Sequence, residues 1–196
     1  MCYFYGQIKT IEMFYALLII IAVLALLAVS LYNRLVRLRN NRENAFADID
    51  VQLKQRLDLI PQLVEAVKAY MKHESTVLVE ITKARAGAME AKGIDEKIAA
   101  DGKLSSALQG LRIAVEAYPE LKASTSFMQL QEEISDIENK LAAARRFFNS
   151  ATKELNNAVE LFPSNLIAGM FGFKREAMYD LAENRAQAEE TPRLNF

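Results

Sequence analysis

The chain has 196 residues, enough for one domain of ordinary size plus an anchor. Its net charge of -1 lacks the basic surplus of a dedicated nucleic-acid surface, and its one cysteine, Cys2, excludes an internal disulfide. Seven glycines, four prolines and no Trp, against abundant Ala, Leu, Glu, Lys and Arg, point to long helices.

Residues 1–12 show no convincing element and read as a short extracytoplasmic N-terminus. The apolar run begins at Met13, which is an alternative start of the chain; an intact mass distinguishes the two. Residues 13–33 carry no charged side chain. A helix over them rises about 30 Å, the hydrocarbon thickness of a bilayer, and Tyr15 and Tyr32 suit its two interfaces. A soluble core helix of this length would not be apolar on every face. Ala28-Val29-Ser30 loosely matches a signal-peptide cleavage site. The arginines that follow, Arg34, Arg37, Arg39 and Arg42, favour a retained anchor instead. By the positive-inside rule they place the N-terminus outside and the C-terminal domain in the cytosol, with the anchor in the cytoplasmic membrane. They are also candidates for contact with anionic lipid.

The helix is expected to continue without interruption. From Phe46 the apolar residues are Phe46, Ile49, Leu53, Leu57, Ile60, Val64, Val67 and Met71. This is a heptad seam with one extra residue near Leu53 and Leu57. Pro61 predicts a bend inside this helix, which runs to about Ala86. Gly87, Gly93 and Gly102 mark the connection that follows. A second helix over about 94–118 carries the seam Leu104, Leu108, Leu111, Val115 and Tyr118, and Pro119 ends it. Ser126 with Gln129 reads as a capping box for a third helix. Its apolar positions, Phe127, Leu130, Ile134, Ile137, Leu141, Ala144, Phe148, Ala151, Leu155, Ala158 and Phe162, alternate in steps of three and four. Pro163 stops it. A short helix over about 166–173 follows, with a further one over about 174–184, and residues 187–196 read as a flexible tail. The expected fold class is therefore all-α: a transmembrane helix, then over 34–186 an elongated antiparallel three- to four-helix bundle with coiled-coil packing. So thin a core is expected to need neighbouring copies along its seam.

Two stretches resemble the LemA family: Tyr32-Asn33-Arg34-Leu35-Val36-Arg37-Leu38-Arg39-Asn40, and the run from Ala45-Phe46-Ala47-Asp48-Ile49-Asp50 through Leu57-Asp58-Leu59-Ile60-Pro61-Gln62-Leu63-Val64. That family usually has Trp at the place of Phe46 and often Asn at that of Gln62. Later blocks agree in order: Glu116-Ala117-Tyr118-Pro119-Glu120-Leu121-Lys122, Phe162-Pro163-Ser164-Asn165-Leu166-Ile167-Ala168 and Phe171-Gly172-Phe173-Lys174. The resemblance implies a membrane-anchored antiparallel helical bundle with no established catalytic activity. Through magnetosome-associated relatives it also implies a role at membranes.

No reaction can be read from the residues. A di-metal bundle site uses Glu-x-x-His on two helices, and the one histidine, His73, stands in no such motif. There is no phosphate loop and no strand to present a nucleophilic Ser. No cofactor, metal or small-molecule substrate is expected. The remaining candidates are interaction residues. Asp48, Asp50, Lys54, Gln55, Arg56 and Asp58 form a charged stripe that is either a solvated face or a register-setting interface, with Arg145 and Arg146 as possible partners for its carboxylates. The apolar segment 162–174, with Phe162, Leu166, Met170, Phe171 and Phe173, is a cap on the bundle end, a membrane-interface element or an insert into a neighbouring subunit. The leading reading is a membrane-anchored scaffold that forms homo-oligomers and organises membrane or recruits partners. The other is a single-pass adaptor that docks on a different membrane complex.

Overall fold

The structure, a computed structural model, describes residues 2–71 and 75–179. These fold into α1 (Cys2–Lys68), α2 (Ser75–Glu90), α3 (Ile94–Val115), α4 (Pro119–Lys122), α5 (Thr125–Glu160) and α6 (Ser164–Met170), with no strand among the described residues. Two compact units result. One comprises Met1–Arg42 and Ala151–Glu176, the other Glu43–Ser150 and Ala177–Phe196.

The second unit is a helical bundle. Its core gathers Ile60, Leu63 and Val67 of α1, Ile81 of α2, Leu104, Leu111 and Val115 of α3, and Leu121 and Phe127. Each such side chain contributes about 1.5–3 kcal/mol by leaving water. Pairings fix the helix directions. Arg56 meets Asp101 and Asp50 meets Lys97, so α1 and α3 run the same way. Phe46 stacks on Phe148 and Arg56 reaches Glu138, so α5 runs opposite to both. Arg85 of α2 donates to the carbonyl of Leu57 at 3.0 Å, while Ile81 packs in the cluster with Val67, so α2 descends beside α1. The order is up, down, up, down, as short connections require.

Several local expectations give way to packing. Residues 2–12 are helical, as the start of α1. That helix runs through Pro61 but ends at Lys68, not near Ala86. No Gly or Pro stands between Val67 and Ser75, so propensity favours continuation; burial of Ile81, with Val77 and Leu78 packed against the same cluster, overrides it. Gly87 and Gly102 lie inside α2 and α3, and of the three expected connection glycines Gly93 alone marks a boundary, as the N-cap of α3. Gly93 has no side chain to offer, so the cap is made in reverse. Glu96 accepts the backbone N–H groups of Lys92 (3.0 Å) and Gly93 (3.5 Å), which holds its carboxyl below the usual range. The α5 helix opens at Thr125 with the Ser124 carbonyl accepting from Met128 at 3.0 Å, ahead of the expected cap at Ser126.

The expected helix over 174–184 is also displaced. Residues 173–179 are not helical, and the remainder of that span, the tail and His73 lie outside the described residues. Gly172 is the cause at the near end. Its φ of 73° is the left-handed conformation that closes a helix, and the Phe173 N–H returns to the Ala168 carbonyl at 2.9 Å in a Schellman bond. Asparagines then satisfy the backbone that a helix would have paired. In the first unit, Asn156 accepts from the Glu176 N–H (2.8 Å) and donates to its carbonyl (2.9 Å). In the second, Asn149 does the same for Tyr179, at 2.7 and 3.0 Å.

Candidate membrane-facing site

The first unit contains the apolar part of α1. Within that helix a window of mean hydropathy 2.9 is wholly unburied, making it a candidate membrane span. Beyond it the helix turns a face inward. Leu35 is fully buried with Ala158 of α5 and Ala168 of α6, and Leu38, Val159, Ile167 and Phe173 pack around them. Small residues at 158 and 168 let three helices approach closely. Ser164 is buried as well, its hydroxyl donating to the Leu161 carbonyl at 2.9 Å, which satisfies a terminal carbonyl of α5 rather than capping α6.

Because Ser164 and Ala168 face inward with Ile167 half-buried beside them, the other large apolar residues of α6 and its ends face out. Phe162 and Met170 are 78% exposed, and Leu166 and Phe171 are exposed beside them. Phe162 continues the spacing of the α5 seam but lies past the helix end at Glu160, so it leaves the core. Phe171 and Phe173 flank Tyr32, with ring centroids 4.6 and 6.1 Å away. The Arg39 guanidinium lies 5.2 Å from the centre of the Phe173 ring, in cation–π range. Arg34, Arg37 and Arg39 are exposed, as a lipid-facing role requires. Arg42 is not: it is 5% exposed and ion-paired with Glu176 at 3.4 Å. It sits seven residues after Leu35, hence on the same inward face.

The second unit holds a buried charge cluster built on Arg56 and Arg145, both singled out from the sequence, and on Asp101, which was not. The Arg56 guanidinium donates to Asp101 Oδ1 (2.8 Å), Ser105 Oγ (3.0 Å) and Glu138 Oε1 (2.7 Å). Arg145 and the hydroxyl of Tyr179 both donate to Asp101 Oδ2. Arg145 also lies over the Tyr179 ring, 4.9 Å from its centre. Arg145 was expected to serve the carboxylates of the 48–58 stripe; it holds Asp101 instead. In that stripe Asp50 pairs with Lys97 of α3 at 2.5 Å, while Asp48, Lys54 and Asp58 are exposed. Beside the cluster a cleft of about 770 Å³ lies between α3 and α5, lined by Leu108, Leu111, Phe127 and Ile134 together with Arg56, Glu138 and Arg145.

Tyr179 gives this cluster a pH signature. Burial, and then the charge of Asp101, push its hydroxyl well above the ordinary value near 10, although Arg145 opposes the shift. In the unfolded chain the same group ionises near 10. Stability from this residue is therefore complete below that pH and falls as pH rises beyond it, because only the unfolded chain releases the proton. Urea unfolding between pH 9 and about 11.5 is expected to show this loss. Tyr179→Phe should flatten that slope while lowering stability at neutral pH.

Residues 45–196 match the LemA family. The chain belongs to the LemA family. Over 155 residues it is 27% identical to Protein LemA of Metamycoplasma hominis, a match covering 77% of this chain and 69% of that protein. Over 78 residues it is 31% identical to magnetosome protein MamQ of Magnetospirillum gryphiswaldense and 30% identical to magnetosome protein MamQ 2 of Paramagnetospirillum magneticum. Those matches cover 40% of this chain and 29% of each magnetosome protein. The LemA blocks now acquire geometry. Phe46, where the family usually has Trp, is 7% exposed with its ring set edgewise 5.6 Å from that of Phe148. The block at 162–168 builds the start of α6, and Gly172 of the last block makes the turn that brings Phe173 against Tyr32.

Proposed function

We propose that this LemA-family protein is a non-enzymatic, membrane-anchored helical scaffold that self-associates and organises membrane or recruits partners. The observation that carries the reading is the division of labour along α1. One helix bears the unburied apolar span, then a buried seam from Leu35 through Val67, and on the other side of its turns an exposed stripe of Asp48, Val51, Lys54 and Asp58. The seam is covered within the chain, so contacts between copies fall to that outer stripe. There Val51 is 53% exposed between residues of opposite charge, a pattern that sets register in helix pairing. Relatives named for magnetosomes support a role at membranes. In this reading the span crosses the inner membrane with the N-terminus outside and the bundle in the cytosol.

Light scattering on the detergent-solubilised full chain tests the scaffold. The expected result is a discrete assembly of several copies, reduced by Val51→Asp. A monomer or dimer would overturn it. That outcome would favour the second reading, a single-pass adaptor, for which the cleft between α3 and α5 offers a place to dock a partner.

A further inference from the structure

We infer that α6 and its flanks form an in-plane wedge that enters the headgroup layer of the same bilayer α1 crosses, with preference for anionic phospholipid. The inference rests on the reading of α1 as a membrane span and adds a second, independent point of lipid contact.

The geometry starts at Tyr32. This residue stands at the end of the uncharged stretch 13–33, where an amphipathic ring suits the membrane interface. Phe171 lies against it at 4.6 Å, so the C-terminal end of α6 is at the same depth as the exit of the span. The α6 side chains are arranged opposite to those of a helix meant for water. Ser164 and Ala168 are buried, while Phe162, Leu166, Met170 and Phe171 are between 58% and 78% exposed. Single exposed apolar residues are ordinary on protein surfaces. Four large ones on one short helix and its ends, continuous with an apolar span, mark an interaction site. Of the two polar side chains between Phe162 and Phe171, Ser164 is buried and Asn165 alone is exposed.

Charge selects the partner. Residues 30–42 and 160–176 hold six basic and two acidic side chains. Both carboxylates are occupied: Glu160 by Arg175 at 2.8 Å and Glu176 by Arg42 at 3.4 Å. Arg34, Arg37, Arg39 and Lys174 remain exposed around the apolar group. Large apolar side chains ringed by cations match the boundary between acyl chains and anionic headgroups. A neighbouring copy of this chain would present no comparable negative surface at that place, since its own corresponding region has the same positive surplus.

The test uses the full chain with Cys2→Ser, reconstituted into vesicles, with an environment-sensitive fluorophore on a single cysteine. Labels at Met170 and, separately, at Leu24 in the middle of the span are quenched by lipids brominated along the acyl chain. Vesicles contain either phosphatidylcholine alone or a mixture with phosphatidylglycerol. Quenching at both sites, stronger at 170 with phosphatidylglycerol, is the expected result. Lys174→Gln should lower the ratio of inserted to exposed label at 170 roughly fivefold in the anionic vesicles, as removal of one near-surface cation predicts. Quenching at 24 without quenching at 170 overturns the wedge and leaves the span intact. Absence at 24 overturns the span itself. A 170 label shielded from aqueous iodide yet untouched by brominated lipid assigns the patch to a second copy of the chain and overturns the proposal. Equal quenching in both vesicle types overturns the preference for anionic lipid. As a folding control, Leu166→Asp should abolish quenching at 170 without changing helix content or unfolding temperature, because Leu166 makes no part of the buried cluster.

Discussion

Asp101→Ala is expected to remove about 3–5 kcal/mol of folding stability, the range for deleting one partner of a buried ion pair. Asp101 and Arg56 are each only 2% exposed, and three donors converge on this one carboxylate: Arg56, Arg145 and Tyr179. Without it, Arg56 keeps Glu138 and Ser105, but the Tyr179 hydroxyl and one face of the Arg145 guanidinium lose their acceptor in a largely buried site. Domains of this kind have total stabilities of about 5–15 kcal/mol, so the loss is a large fraction. Urea unfolding of the detergent-solubilised chain measures it. A cost below about 1 kcal/mol would show that water reaches the cluster. A second variant separates charge from shape: Arg56→Met, Asp101→Leu and Arg145→Met together should recover most of the stability, since apolar replacement of an entire buried ion group is often neutral or better.

Phe148→Ala is expected to cost a similar amount, about 3–5 kcal/mol, through transfer and cavity terms together. Phe148 is fully buried between the rings of Phe46 at 5.6 Å and Tyr179 at 6.5 Å, both edge-on. Its loss removes two aromatic contacts and unseats the ring whose hydroxyl serves Asp101. The same unfolding experiment reads the effect. Phe148→Leu should lose less, and a Phe148→Ala variant within about 1 kcal/mol of the parent would mean that the site collapses to fill the gap.

These two sites show where sequence reasoning works and where it stops. The seam of α5 was legible because its apolar residues recur every three or four positions, and Phe148 belongs to it. The seam of α1 was read with an extra residue near Leu53 and Leu57. Counting Arg56 as a core position removes that fault: Phe46, Ile49, Leu53, Arg56, Ile60, Leu63 and Val67 alternate perfectly, and all are buried. Asp101 likewise precedes Leu104, Leu108 and Leu111 in phase. A search confined to apolar residues skips charged seam positions. A charged residue that restores the broken heptad of α1, and one that extends the intact seam of α3 in phase, were the available signals. Other features had no local signal. The end of α1 at Lys68 has no breaker residue, and the extended course of 173–179 depends on Asn149 and Asn156, whose partners are distant in the chain. The outward face of α6 was half legible. Its apolar composition was plain, but only the burial of Ser164 and Ala168 determines which side the large residues take.

The position of Tyr179 bears on how the protein is made. Its hydroxyl completes the set of donors around Asp101, 78 residues earlier in the chain. At ribosomal rates of about 5–20 residues per second, the carboxylate waits on the order of 4–16 s for that last donor. Arg145 and the rest of α5 are made within the same interval, so the bond from Tyr179 is the last of the set to close. A chain clipped before residue 179 would therefore keep both arginines on Asp101 but leave the buried carboxylate one hydrogen-bond donor short.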